Sequence, residues 1–253
     1  MPAATTIDQV IDRLAAIIAD CRASESRLGY FPALYKRVTV AVRDGIARGR
    51  FDDGPRMERL DVVFANRYID AYDAFAAGRP LSRSWVLAFK AAQSSDLIVL
   101  QHLLLGMNAH INLDLGIAAA EVAPGAALPA LRDDFLRINT VLAELTGQVK
   151  AQLSAIWPLI GRLERLSGTA DDVVAEFSMS RARDDAWSLA TILADRSPAA
   201  RDIVISVRDH WAASFVGVTL NPPGLGSVLA RIAAMDEAAS VREVIDVLDR
   251  PEN

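Results

Sequence analysis

Residues 96–122 read DLIVLQHLLLGMNAHINLDLGIAAAEV. Apolar side chains recur on every side of this segment instead of along one stripe. A helix that is hydrophobic all round is normally enclosed by other helices. The segment is therefore expected to be the central helix of an all-α, single-domain bundle, with about eight to ten helices packed around it.

Helical spacing continues outward in both directions. Thr6 followed by Gln9 has the form of a capping box, and Ile7, Ile11, Leu14 and Ile18 form the stripe of a first helix ending near Asp20. A second helix is expected from about Phe31 to Ala47. RFDDGP reads as a turn, with Pro55 opening a third helix that stops at Gly78. Ser82 is expected to cap a short helix, and Ser95 or Asp96 to open the central one. Beyond APGAALP a long helix starts near Leu131, with Pro158 kinking or breaking it. Thr169 with Asp172 caps a helix through Ala194, and Ser197 with Pro198 starts another reaching NPPG at 221–224. Two short helices close the chain, the last capped by Ser240. No strand, hairpin, repeat or low-complexity linker is evident. The only soft boundary lies near 123–130.

Composition narrows the function classes. The 253 residues are 52% hydrophobic and 23% charged, with a net charge of −5. No dense Lys/Arg cluster supplies the footprint of nucleic-acid binding. One cysteine, Cys21, excludes an intramolecular disulfide and a Cys-rich zinc site. The N-terminus reads as a capped amphipathic helix, not a signal peptide. No long run is free of polar groups, so no membrane span is expected. A cytoplasmic protein with a small-molecule ligand is the expectation; homo-oligomerisation stays open.

Polar groups inside the apolar segment mark the candidate site. His102, Asn108, His110, Asn112 and Asp114 cannot all face water. Burying a polar group without a partner costs about 1–3 kcal/mol. His110 and Asp114, spaced i and i+4, lie about 40° apart on one face, with Glu121 within about 20° of both. His102 lies about 80° around from His110. On the third helix Asn66, Asp70 and Asp73 form a polar ridge flanked by Phe64, Tyr68, Ile69, Tyr72 and Phe75. Facing His110 and Asp114, that ridge would close a polar chamber of the kind that bundles use for metals and ligands.

Three readings remain open on these residues. In the first, His110, Asp114, His102 and Asp70 ligate one divalent metal, zinc or non-haem iron, with Asn66, Asp73, Asn108 and Asn112 orienting ligands or a small apolar substrate. In the second, a metal-free cyclase or isomerase uses Asp114 or Asp70 as general acid/base with His110 as partner. In the third, the polar groups only satisfy one another in a binding or scaffold protein. His210 beside Asp209, and Arg181 with Asp185, read more simply as structural. No GxSxG elbow, HExxH or glycine-rich phosphate loop occurs.

The runs FANRYIDAYDAFAAGRPLSRSW and VLQHLLLGMNAHINLDLGIAAAEVAPG resemble an uncharacterised bacterial helical family, domain of unknown function 5995. The resemblance covers most of the chain, most specifically 64–125. It implies an all-α fold and a hallmark at Asn108–Asp114, and supplies no activity. HLLLGMNAH is loosely similar to a segment of the helical zinc phospholipase C and P1-nuclease group. Those enzymes use more histidines than the three present here.

Overall fold

The computed structural model describes residues 2–141, 179–220 and 239–250. The described elements are helical, with no strand among them. In chain order they are α1 (Ile7–Ala23), α2 (Tyr30–Ala47), α3 (Gly54–Ala76), α4 (Arg83–Ala91), α5 (Val99–Ala109) and α6 (Gly116–Val122). Next come α7 (128–141), α8 (Met179–Ala194), α9 (Pro198–Leu220) and α10 (Val241–Leu248). The expected kink at Pro158 and the cap at Thr169 lie outside the described residues, as does the first of the two closing helices.

The helix starts show local and tertiary control side by side. Thr6 accepts from the Gln9 backbone N–H, while the Gln9 side chain reaches Thr5. Asp53 caps α3 by accepting from Arg56, with Pro55 in the first turn. Ser240 and Glu243 cap α10 reciprocally. Ser82, expected to cap α4, makes no cap bond. Asp209 of α9 does this instead, accepting from the Arg83 and Ser84 backbone N–H groups at 2.7 and 2.9 Å. A carboxylate from elsewhere in the chain outcompetes the local hydroxyl because it also complements the positive helix end.

The expected central helix runs continuously from Val99 to Val122, but not as a uniform α-helix. His110–Leu115 is a π-helical segment between α5 and α6. Its beginning also differs: Val99 opens the helix, and the Gln101 side chain accepts from the Ile98 N–H. Val99–Val122 is long and apolar enough to cross a membrane by length and composition, yet 94% of its most apolar window is buried inside the protein. It packs against α2, α3, α4, α8 and α9.

Two apolar clusters meet on this helix. One joins α1, α2, α3, α4 and α10 to α5 around Leu14, Tyr68 and Trp85. The other joins α6, α7 and α8 around Leu113, Leu131, Phe135 and Leu193. Two glycines allow the close approaches. A Cβ at Gly106 would stand 2.5 Å from the Phe31 ring, and one at Gly116 would stand 2.6 Å from the Ala186 carbonyl oxygen. The mid-helix glycines therefore offset their propensity cost of about 1 kcal/mol by permitting tight packing.

Candidate functional site

The polar groups of the central helix are all buried, and they sort into two faces. Asn108 and Asn112 face α9. The Asn108 side-chain amide donates to the Ala212 carbonyl at 2.8 Å, and the Asn112 amide donates to Asn108 Oδ1 at 2.9 Å. Arg208 Nε donates to the Asn112 carbonyl at 2.6 Å, while its guanidinium lies 4.0 Å above the Trp211 ring centre. The π-segment shifts backbone pairing from i+4 to i+5 and so disturbs the carbonyl ladder. Arg208 takes up one of those carbonyls. This network holds two helices together and leaves neither asparagine side chain unbonded.

His110 and Asp114 face the other way, toward α2, α3 and α4. Both are 2% exposed. Asp114 accepts from Arg67 Nε at 2.9 Å on one oxygen and from Trp85 Nε1 at 2.8 Å on the other. His110 Nδ1 faces the second oxygen at 3.4 Å. Burial alone would raise the Asp114 pKa. The His110 hydrogen bond, the Arg67 charge and the Trp85 donor outweigh it and hold the carboxyl below its usual range. Burial pushes the His110 pKa down, against the pull of Asp114. The pair is thus a carboxylate and a neutral imidazole. The carboxylate fixes the proton on Nδ1 and leaves Nε2 as an acceptor.

That Nε2 atom is buried and has no hydrogen-bond partner. The ring is stacked on Phe64 at 3.6 Å and meets Tyr35 edge-on at 4.5 Å. It lines an apolar cavity of about 80 Å³, measured as space open to the centre of a water-sized sphere. Walls come from Phe31, Leu34, Val38, Met57, Leu60 and Met107, among others on α2, α3, α5, α7 and α8. One water needs about 10–15 Å³ on that scale, so the space takes a fragment of several non-hydrogen atoms. Met57, Met107 and Met179 make the wall adaptable.

Three more polar groups line the same cavity with an atom left unbonded: Tyr35 Oη, Asp61 Oδ2 and Arg183 Nε. Asp61 is 7% exposed. Burial, with the charge of Glu58 beside it, lifts its pKa to about 8, so it carries a proton at neutral pH. Burial lowers the Arg183 pKa to about 10, which leaves it cationic. Its guanidinium lies 4.5 Å above the Phe135 ring and donates to the Phe135 carbonyl. Burial also raises the Tyr35 hydroxyl well above its ordinary value.

Asp61 was not among the residues expected at the site, although its spacing carried a signal. Met57, Leu60, Asp61, Ala65 and Tyr68 lie on one buried face of α3. A carboxylate on an apolar stripe is a buried carboxylate. Arg183 had no comparable signal, because α8 carries several arginines and aspartates at helical spacing.

The expected polar ridge does not join the site. Asp70 is exposed. Asp73 pairs with Arg13 of α1 at 2.9 Å. Asn66 accepts from the Ala4 N–H and donates to the Ala4 carbonyl, clamping the N-terminal segment. The ridge meets α1 and solvent because α3 turns its Asp61, Phe64, Arg67 and Tyr68 side toward the centre. Glu121 is exposed, and His102 occupies a separate pocket beside Arg27. His210 is exposed and bonded to the Ser206 carbonyl.

The four-ligand arrangement expected for a metal is therefore not assembled. Asp114 is enclosed by Arg67 and Trp85, and a guanidinium at 2.9 Å stands where a cation would have to sit. Among the described residues no three His, Cys, Asp or Glu side chains are grouped to hold a metal ion.

No curated protein and no solved structure matches the chain. The model of a family of unknown function, DUF5995, matches residues 7–222, which include α1 to α9 and both faces of the central helix, and the chain belongs to that family.

Proposed function

We propose that this protein is a metal-free enzyme that isomerises a small, largely apolar carbonyl compound by moving a proton. The observation that carries this reading is the set of unbonded polar atoms around one apolar cavity: His110 Nε2, Tyr35 Oη, Asp61 Oδ2 and Arg183 Nε. Each such atom costs about 1–3 kcal/mol in a folded protein, and they share a single space. A ligand with one oxygen among apolar carbons would satisfy several of them together.

The roles follow from protonation. His110 is neutral, with its Nδ1–H held by Asp114, so Nε2 can accept a proton from carbon next to the carbonyl. Asp61 is protonated at neutral pH and can donate a hydrogen bond to the carbonyl oxygen as negative charge grows there. An apolar site that keeps a carboxylic acid neutral for this purpose is an established device. Tyr35 offers a second donor, and Arg183 offsets the developing charge. In a substrate with a carbon–carbon double bond next to the carbon that loses the proton, the resulting dienolate takes the proton back from His110 at its far carbon, which moves the double bond into conjugation and completes an isomerisation. Atoms and charge balance without a cofactor.

The test is deuterium wash-in. Cyclopentanone and cyclohexanone serve as small apolar ketones in D2O, with α-proton loss followed by NMR. Wild type is expected to accelerate exchange, and His110→Gln to abolish the acceleration while keeping the wild-type circular dichroism. Binding without any acceleration would leave a carrier for apolar molecules, not an enzyme. Neither binding nor exchange would overturn the proposal.

A further inference from the structure

A second pocket shares the Phe31 side chain with the cavity beside His110. Arg27, Leu28, Phe31, Trp85, Ala88, Phe89, Ala92, His102 and Gly106 line it. Phe31 is the wall common to both spaces. The Gly106 backbone lies directly under that ring, where a Cβ would collide with it at 2.5 Å.

His102 is 6% exposed, and neither of its ring nitrogens makes a hydrogen bond. Tyr30 meets the imidazole edge-on at 5.7 Å, which fixes its plane. Burial and the positive charge of Arg27 lower its pKa to about 4; the nearby Leu97 carbonyl favours the protonated ring but does not reach hydrogen-bonding geometry with either nitrogen. Arg27 stands on a single 3₁₀ turn, Arg27–Gly29, and is half-buried. No carboxylate among the described residues pairs with its guanidinium. A half-buried cation beside an unbonded buried imidazole is a pair of donors without an acceptor. The neutral imidazole carries one N–H, and Arg carries a planar fork matched to carboxylate.

We propose that Arg27 and His102 form a binding site for a small organic monocarboxylate. Its carboxylate lies against the guanidinium and the imidazole N–H, and its short apolar chain runs outward along Leu28 and Ala92, the partly exposed apolar residues of the lining. The space between the lining side chains is about 20 Å³ on the scale used above, enough for a carboxylate head and little more. A phosphate fits the guanidinium but carries no apolar chain to lie along the Leu28 and Ala92 side chains, and so loses that contact. This site does not depend on the reaction proposed at His110, since the two share only the Phe31 ring.

The experiment uses the full chain with imidazole-labelled histidine, observed by NMR. Sodium butyrate is titrated against its neutral analogue butyramide, and against inorganic phosphate. Butyrate is expected to shift the His102 resonances saturably in the millimolar range and to raise the His102 pKa above about 4. Butyramide and phosphate are expected to bind much more weakly. Arg27→Gln changes a half-buried side chain whose backbone bonds are untouched, and should weaken butyrate about tenfold or more. His102→Phe keeps the ring packing and should weaken it as well. Equal shifts from butyrate and butyramide would overturn the proposal, as would unchanged butyrate affinity in Arg27→Gln. Phosphate binding as tight as butyrate would replace the monocarboxylate with a general anion and refute the stated ligand class.

Discussion

Asp61 gives the sharpest test of the cavity, because its cost can be separated from every other ionisation by pH. Its pKa rises from 3.8 in the unfolded chain to about 8 when folded. Between those values the folded state holds a proton that the unfolded state releases. Stability contributed by the neutral form is therefore complete below pH 4 and is lost as pH rises toward 8. The two buried histidines act in the opposite direction. His102 and His110 are depressed below 6.5 when folded, so their destabilisation fades as pH rises through 6.5, with about 0.4 kcal/mol each still to be regained above that pH. Asp114 and Asp134 are held below the usual carboxylate range, and their contribution is constant above about pH 5. The largest change between pH 6.5 and 8 thus belongs to Asp61. One pKa unit corresponds to about 1.4 kcal/mol, so the Asp61 contribution should fall by about 1.5–2 kcal/mol across that window, read as the loss of wild type relative to a variant without the titrating group. Asp61→Asn removes the titrating proton and should show only the small histidine gain there, becoming more stable than wild type at pH 8. Urea denaturation followed by circular dichroism, at several pH values for both proteins, measures the difference directly. Parallel curves for the two proteins between pH 6.5 and 8 would show that Asp61 is solvated and ionised, and the account of the cavity would fail with it.

Other outcomes follow from single contacts. Asp114→Ala leaves Arg67 and Trp85 Nε1 without their acceptor and should cost about 3–5 kcal/mol in chemical denaturation, far more than removing an exposed pair. Gly116→Ala drives a methyl into the Ala186 backbone and should destabilise by about 1–3 kcal/mol; an unchanged Tm would contradict the close approach of α6 and α8. Asp209→Ala removes the cap of α4 and should cost about 0.5–2 kcal/mol, whereas Ser82→Ala should be nearly silent. Ketone α-proton exchange should survive a chelator unchanged, and it should fall above about pH 8, where Asp61 ceases to be a donor.

Much of the architecture could be read from periodicity alone. Val99–Val122 is apolar on all sides, and it lies at the centre because no other arrangement hides that much apolar surface. Thr6, Asp53 with Pro55, and Ser240 mark helix starts through bonds to residues only a few positions away, so local chemistry settled them. The inward direction of His110 and Asp114 follows from the same periodicity, since a fully enclosed helix has no outward side.

Tertiary structure decided which groups meet. The Asn66, Asp70 and Asp73 ridge had the right spacing to face His110, but spacing on one helix does not fix its rotation about its own axis. Packing fixed that rotation, turning Asp61 and Arg67 inward and giving the ridge to α1 and solvent. The partners of Asp114 come from residues 67 and 85, and the cap of α4 comes from residue 209, separations that no local pattern encodes. The Asn112 carbonyl within the π-segment at His110–Leu115 likewise finds its partner, Arg208, on another helix. Buriedness is a property of composition and period, which one strand of sequence carries; pairing is a property of three-dimensional neighbours, which only the folded chain supplies.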